Sequence, residues 1–167
     1  MQQPAGKSEQ SPPLVLVIDP QANIIEFISL GLRYEGYQVE GRTSGLEGLE
    51  MARRIKPELI ILELALPDID GIELCRQLRT DEATHELPII VLTSLEDARA
   101  QIQAQDVEVS AFMTKPFDFY ELLEKVKSLV PPPRPNVLLP NYVWGYDYPG
   151  EGLPPNWRPP RKRQFDD

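Results

Sequence analysis

Hydrophobic residues between Leu14 and Val130 fall into five short runs, and a segment with helical periodicity follows each run. The runs span residues 14–18, 37–41, 59–62, 88–93 and 109–113. The first, third and fourth are apolar without alternation, which is typical of strands that are covered on both faces. The second alternates polar and apolar residues, so we expect it at an edge of the sheet.

Helix-start chemistry follows every run, with a side-chain acceptor at the N-cap and an acid three residues later. The pairs are Asn23/Glu26, Ser44/Glu47, Asp70/Glu73, Ser94/Asp97 and Asp118/Glu121. Repeated strand–helix units give right-handed crossovers and a parallel sheet with helices on both sides. The pattern therefore predicts an α/β fold, a five-stranded doubly wound domain with its ligand site at the carboxyl ends of the strands.

Polar side chains of complementary chemistry follow four of the predicted strands. Asp19 ends the first strand, Glu63 the third and Thr93 the fourth, while Lys115 follows the fifth. Carboxylates hold divalent cations, whereas a hydroxyl and an ammonium group hold phosphoryl oxygens. The four positions thus predict an anion or phosphoryl site with room for a cation.

Other polar residues near these strands have structural interpretations. Asp70 is predicted to cap the third helix, and Asp68 to be solvated in the preceding loop. His85 lies in a polar loop without a second histidine or cysteine for a metal site, and Cys75 is predicted to be a packing residue.

The chain of 167 residues has a net charge of −9, which argues against a nucleic-acid partner. It holds one cysteine, so it can form no disulfide framework. No apolar run approaches the length needed to cross a bilayer, and the N-terminus has no signal-peptide core. These features predict a soluble, cytoplasmic protein without membrane insertion.

Composition divides the chain into a disordered leader (1–13), the domain (14–130) and a tail (131–167) rich in proline and aromatic residues. The tail's prolines exclude regular secondary structure. Disordered linkers are usually poor in aromatic residues, so the tail is predicted to be an interaction segment. Its candidate contact residues are Tyr142, Trp144, Tyr146, Tyr148 and Trp157. The alternative is that the tail packs on its own domain.

The stretches LVLVIDPQ, LPIIVLTS and AFMTKPFDFYELLEKV resemble the receiver domain of two-component response regulators, the CheY-like family. The separations of Thr93 and Lys115 from Glu63 also match that family. The resemblance implies a flavodoxin-like sheet in the strand order 2-1-3-4-5. It also implies a role in phosphorelay signalling, with a histidine kinase or a signalling complex as partner.

In the family, an aspartate accepts a phosphoryl group, and an acidic pair helps to bind Mg²⁺. A hydroxyl and a lysine contact the phosphoryl group, and an aromatic residue changes rotamer when the domain is activated. The corresponding residues here are Glu63 for the acceptor, Asp19 and Pro20 for the pair, Thr93, Lys115, and Phe112 for the aromatic. The resemblance further implies a cis bond between Lys115 and Pro116. Two of these positions depart from the family, because Glu63 replaces the aspartate and Pro20 replaces the second acid. Metal ligation by Asp19 and Glu63 is therefore expected to be weak.

Glu63 has three interpretations: a built-in mimic of the phosphorylated state, a tolerated substitution in a domain that keeps only its fold, or a residual acceptor. We predict a stand-alone, atypical receiver, or pseudo-receiver, that binds proteins without phosphorylation, is not an enzyme and needs no cofactor. Pairing with a second copy stays open. One alternative is a regulator that accepts phosphate on Glu63 with Mg²⁺. Another is a phosphoryl-transfer or hydrolytic enzyme at the site formed by Asp19, Glu63, Thr93 and Lys115.

Overall fold

A computed structural model describes residues 11–132, in which five strands and five helices alternate. The strands are β1 (Leu14–Ile18), β2 (Gln38–Arg42), β3 (Leu59–Leu62), β4 (Ile89–Thr93) and β5 (Ala111–Thr114). The helices are α1 (Ala22–Tyr34), α2 (Gly45–Ile55), α3 (Gly71–Thr80), α4 (Ala98–Ala104) and α5 (Phe119–Leu129). Most of the predicted leader and nearly all of the predicted tail lie outside the described residues, so their predicted boundaries stay predictions.

The five strands form one parallel sheet in the order β2-β1-β3-β4-β5, which confirms the predicted fold and strand order. β2 is an edge strand, as its alternating pattern indicated. The predicted bounds of β1 and β3 are correct, whereas β2, β4 and β5 begin one or two residues later than predicted. In β1, Val17 pairs with Gly41 on one side and with Ile61 on the other.

Two hydrophobic cores cover the two faces of the sheet. Alternate strand residues such as Leu16 and Ile60 point into the core formed with α2, α3 and α4. Their neighbours, such as Val17 and Ile61, point into the core formed with α1 and α5. Burial on both faces explains why β1, β3 and β4 are apolar without alternation. No helix within residues 11–132 is long and apolar enough to span a membrane.

Three of the five predicted helix starts are correct. The side chains of Ser44, Asp70 and Asp118 each accept a hydrogen bond from a backbone N–H of the first turn. These bonds satisfy donors that a helix leaves unpaired at its beginning.

The predicted pairs Asn23/Glu26 and Ser94/Asp97 are wrong. Helix α1 begins at Ala22, after Gln21, and α4 begins after Asp97; neither start has a side-chain cap. Asn23 already lies within α1, and Ser94 lies three residues before Asp97, so neither occupies the N-cap position. In both turns a backbone N–H bonds an acid of the site. Asp19 accepts the N–H of Gln21 at 2.8 Å, and the N–H of Ser94 donates to the carboxylate of Glu63 at 3.2 Å.

Candidate functional site

Four predicted site residues meet at the carboxyl edge of the sheet. Asp19 and Glu63 follow the last residues of β1 and β3, Thr93 ends β4, and Lys115 follows β5. The exposed fractions of Asp19, Glu63 and Thr93 are only 2%, 3% and 0%. Because buried charges are costly unless they are paired, the contacts among these groups decide whether the arrangement is stable.

The carboxylate of Glu63 accepts four hydrogen bonds, two at each oxygen. The Thr93 hydroxyl donates to Oε1 at 2.5 Å, and the backbone N–H of Ala65 donates to the same oxygen at 2.9 Å. Lys115 Nζ lies 3.0 Å from Oε2, which also accepts the N–H of Ser94 at 3.2 Å. Glu63 is therefore fully coordinated by protein donors in its ionised form.

Lys115 joins the two acids of the site. Its ammonium nitrogen lies 2.5 Å from Asp19 Oδ2 and 3.0 Å from Glu63 Oε2, and its side chain is 14% exposed. The other oxygen of Asp19, Oδ1, accepts the N–H of Gln21. The peptide bond between Lys115 and Pro116 is cis, as the resemblance implied.

Hydrogen bonding and charge keep both members of this pair ionised. Burial by itself raises the pKa of Glu63, but the hydrogen bonds from Ala65, Thr93 and Lys115 outweigh it and hold the pKa below its ordinary value of 4.5. Burial lowers the pKa of Lys115, but its hydrogen bonds and charge interactions with Asp19 and Glu63 raise it above the ordinary 10.5. At neutral pH the pair is thus a carboxylate and an ammonium.

The donor set does not fit a divalent cation. Pro20, at the position of the family's second acid, is exposed and has no side-chain donor. Both oxygens of Asp19 and both of Glu63 already accept protein hydrogen bonds, and the ammonium of Lys115 lies between the two carboxylates. Within residues 11–132, no group of three or more acidic, histidine or cysteine side chains is arranged to hold a metal.

Phe112 flanks the ion cluster and does not join it. It pairs in register with Val91 of β4, two residues before Thr93, and its side chain is half-buried against the core on the α2–α4 face. The Arg99 guanidinium lies 4.8 Å from the centre of its ring, a cation–π contact. The rotamer change that the resemblance implies for Phe112 stays a prediction.

Asp68 is an exposed loop residue, as predicted, and it also has a role that the sequence did not indicate. Its two carboxylate oxygens accept the N–H groups of Gly45 and Leu46, each at 2.8 Å. The hydrogen bonds from Leu46 and Gly45 hold the pKa of Asp68 below its ordinary value. Asp68 therefore ties the loop after β3 to the beginning of α2. No local pattern marks this bond, since its partners are far apart in the chain.

Two other candidates have structural roles. Cys75 is fully buried in α3, and burial raises the pKa of its thiol to about 12, so it packs and does not react. The ring Nδ1 of the exposed His85 lies 3.1 Å from the carbonyl oxygen of Glu82.

Helix α1 presents an apolar stripe that sequence reasoning also missed. Phe27, Leu30 and Tyr34 are 53%, 64% and 73% exposed, and their spacing places them on one helical face. The ring of Phe27 makes edge contacts with Phe117 and Phe119, at centroid distances of 6.1 and 5.9 Å. We name Phe27, Leu30 and Tyr34 the α1 stripe. The signal was present in the sequence as apolar residues that recur on the helix face opposite the core.

The candidate contact residues of the tail all lie outside the described residues. They are Tyr142, Trp144, Tyr146, Tyr148 and Trp157. The interaction role that the sequence predicts for them stays a prediction.

A five-stranded parallel sheet in this order, with two acids and a lysine at its carboxyl edge, is the arrangement of receiver domains. The family model for the response regulator receiver domain matches residues 15–127, and the chain belongs to that family.

Curated relatives include the DNA-binding dual master transcriptional regulator RpaA of Synechocystis, 37% identical over 118 residues, which are 71% of this chain and 49% of the relative. The response regulator ArlR of Staphylococcus saprophyticus is 35% identical over 116 residues, which are 70% of this chain and 51% of the relative. The chain thus spans about half the length of the curated relatives it matches.

Solved structures of similar fold include the chemotaxis protein CheY4 of Vibrio cholerae, with a TM-score of 0.65 and 25% identity over 71% of this chain and 98% of that one. The receiver domain of the Francisella response regulator 1452 has a TM-score of 0.64 and 28% identity, and covers 70% of this chain and 95% of its own. Both likenesses cover about 70% of this chain.

Proposed function

We propose that this receiver acts by binding protein partners without being phosphorylated, with Glu63 as a built-in substitute for the phosphorylated acceptor. The observation that carries the proposal is the coordination of the Glu63 carboxylate. The Thr93 hydroxyl and the Lys115 ammonium, which the family resemblance assigns to the phosphoryl group, donate to Glu63 itself. The longer glutamate side chain places its charge where those two donors can reach it.

The same contacts argue against phosphoryl transfer. An acceptor must hold one oxygen in line with the phosphorus atom, and small misplacements cost orders of magnitude in rate. Each oxygen of Glu63 is already engaged by two donors. Pro20 removes one of the acids that would hold Mg²⁺. In this proposal the chain is not an enzyme, requires no cofactor and acts in the cytoplasm.

The α1 stripe supports a role in protein binding. Exposed apolar residues that are grouped on one helical face are typical of interaction sites, whereas scattered ones need no explanation. Large aromatic side chains also contribute much of the binding energy at interfaces. In this proposal the stripe is one contact surface, and the aromatic tail is a second interaction segment.

Incubation with phosphoramidate and Mg²⁺, followed by intact-mass spectrometry, tests the phosphorylation half of the proposal. We expect no phosphoryl group on the wild-type chain. The double variant Pro20→Asp, Glu63→Asp restores both acids of the family pattern and is the positive control, which we expect to be phosphorylated. Mg²⁺-dependent, saturable phosphorylation of the wild-type chain would contradict the proposal.

Affinity capture with the full chain as bait tests the protein-binding half. The variant Leu30→Lys places a charge in the α1 stripe, and Leu46→Lys makes the same change at an exposed leucine of α2, 53% exposed. We expect partners to be lost with the first variant and kept with the second. A chain truncated after Val130 tests the tail in the same assay. Equal capture by wild type, Leu30→Lys and the truncated chain would contradict both proposed contact surfaces.

A further inference from the structure

The cation that balances the acidic edge of this receiver belongs to the protein itself. Asp19 and Glu63 are both almost fully buried, and two buried carboxylates without a counter-ion repel each other strongly. The ammonium nitrogen of Lys115 lies within 3.0 Å of an oxygen from each. It therefore supplies the positive charge that a bound cation would otherwise supply.

We propose that Lys115 is the resident cation of this pocket and that its ammonium group excludes divalent metal from the space between Asp19 and Glu63. The inference rests on the proposed function and deepens it, because a lysine that offsets one of the two carboxylate charges from within acts without metal or phosphate. Lys115 would thus act on the site indirectly, by occupying the space between the carboxylates of Asp19 and Glu63.

Four features of the pocket support this assignment. The contact with Asp19 is short, at 2.5 Å, and the exposed fraction of the Lys115 side chain is low, at 14%. A metal ion between the two acids would have to displace the ammonium from both, and the remaining acceptor sites of Glu63 already have the donors Thr93, Ala65 and Ser94. Pro20 adds no ligand that would offset that loss. A divalent ion prefers several hard oxygen ligands, and here the free oxygens are too few.

Removal of the lysine should open the site to metal. In the variant Lys115→Met, the carboxylates of Asp19 and Glu63 lose their shared counter-ion. A divalent cation bound between them would relieve their mutual repulsion. We expect Mn²⁺ to bind this variant more tightly than the wild-type chain, by on the order of tenfold or more, since a unit charge within hydrogen-bond distance is removed. Lys127→Met is the matched control, because Lys127 forms an ion pair with Glu35, 3.3 Å away, between α1 and α5.

Paramagnetic broadening by Mn²⁺ of backbone amide NMR signals is the measurement. We expect saturable broadening at Asp19, Glu63 and Ala65 in Lys115→Met, and none at millimolar Mn²⁺ in the wild type or in Lys127→Met. Equal broadening of those amides in the wild type overturns the proposal, because the lysine then does not exclude the metal. Absence of broadening in a folded Lys115→Met variant also overturns it.

A second measurement uses the wild-type chain alone, in case the variant does not fold. The ammonium signal of Lys115 should be protected from exchange with water and should not shift when Mg²⁺ is added. A loss of exchange protection of the Lys115 ammonium, or a shift of its signal, on addition of Mg²⁺ overturns the proposal.

The metal measurement and the phosphorylation measurement separate the two proposals. A wild-type chain that binds Mn²⁺ but takes up no phosphoryl group refutes the resident cation and leaves the proposed function standing. A wild-type chain that becomes phosphorylated refutes the proposed function, whatever its metal affinity.

Discussion

The substitution Glu63→Gln removes one charge and keeps the shape of the side chain. An amide can accept hydrogen bonds only at its oxygen, because its nitrogen is a donor. If the oxygen keeps Thr93 and Ala65, the amide nitrogen faces two further donors, Ser94 and Lys115. No rotamer satisfies all four groups. The variant therefore loses charge-assisted hydrogen bonds, and its buried amide nitrogen faces other donors without an acceptor.

The size of the effect follows from these contacts. A hydrogen bond to a charged group contributes about 1.5–3 kcal/mol, and breaking a buried ion pair costs about 3–5 kcal/mol. Lys115 keeps its contact with Asp19, so its charge is not left without a partner. We therefore expect Glu63→Gln to lower the free energy of unfolding by about 2–4 kcal/mol, which leaves most domains of this size folded.

Urea unfolding at pH 7, followed by circular dichroism, measures this difference against Glu96→Gln, a control at an exposed glutamate. The control should lie within about 0.5 kcal/mol of the wild type. The pKa of Glu63 is lowered in the folded chain, so its contribution is complete above the ordinary 4.5 and is lost as the pH falls through the folded-state pKa. The difference between wild type and Glu63→Gln should therefore be smaller at about pH 3 than at about pH 7. Equal stabilities at neutral pH, or a difference that does not change with pH, would refute the reasoning.

Three further substitutions test how the domain is held around the site. In Tyr37→Phe, the carbonyl of Val130 loses the hydroxyl that donates to it at 2.7 Å, so unfolding should cost about 1 kcal/mol less, and hydrogen exchange should rise at the end of α5. Burial and Glu35 raise the pKa of Tyr37 to about 12, so the wild-type chain alone should lose this contribution as the pH rises from about 10 through 12, which unfolding at alkaline pH measures. A Cβ at Gly71 would lie 2.3 Å from the Cα of Leu64, so Gly71→Ala should destabilise the chain by about 1–3 kcal/mol in urea unfolding and shift the amide signal of Leu64. Arg79 donates to three backbone carbonyls, so Arg79→Met should lower the free energy of unfolding, measured by thermal unfolding, by about 1–2 kcal/mol. An unchanged free energy would show that solvent replaces those bonds.

The hydrophobic pattern predicted the sheet because five short apolar runs alternate with five segments of helical periodicity. β1 and β3 have the predicted bounds for this reason. Helix starts were less predictable, since a polar residue before a helical segment can lie in a loop as well as at the N-cap. Ser94 has the composition of an N-cap, but its N–H is used by Glu63, and α4 begins later. A local pattern cannot distinguish these uses.

The composition of the site was predictable, whereas the backbone donors that complete it were not. Parallel strands bring their carboxyl ends to one edge, so the meeting of Asp19, Glu63, Thr93 and Lys115 follows from topology. The backbone N–H of Ala65 that completes the shell of Glu63 could be supplied by almost any residue type, so it leaves no trace in the sequence. Yet that N–H and its counterparts decide whether Glu63 is a free nucleophile or a saturated anion. In the proposed function, the longer side chain at the acceptor position prevents phosphorylation because its carboxylate engages Thr93 and Lys115, the two groups that the family resemblance assigns to the phosphoryl group.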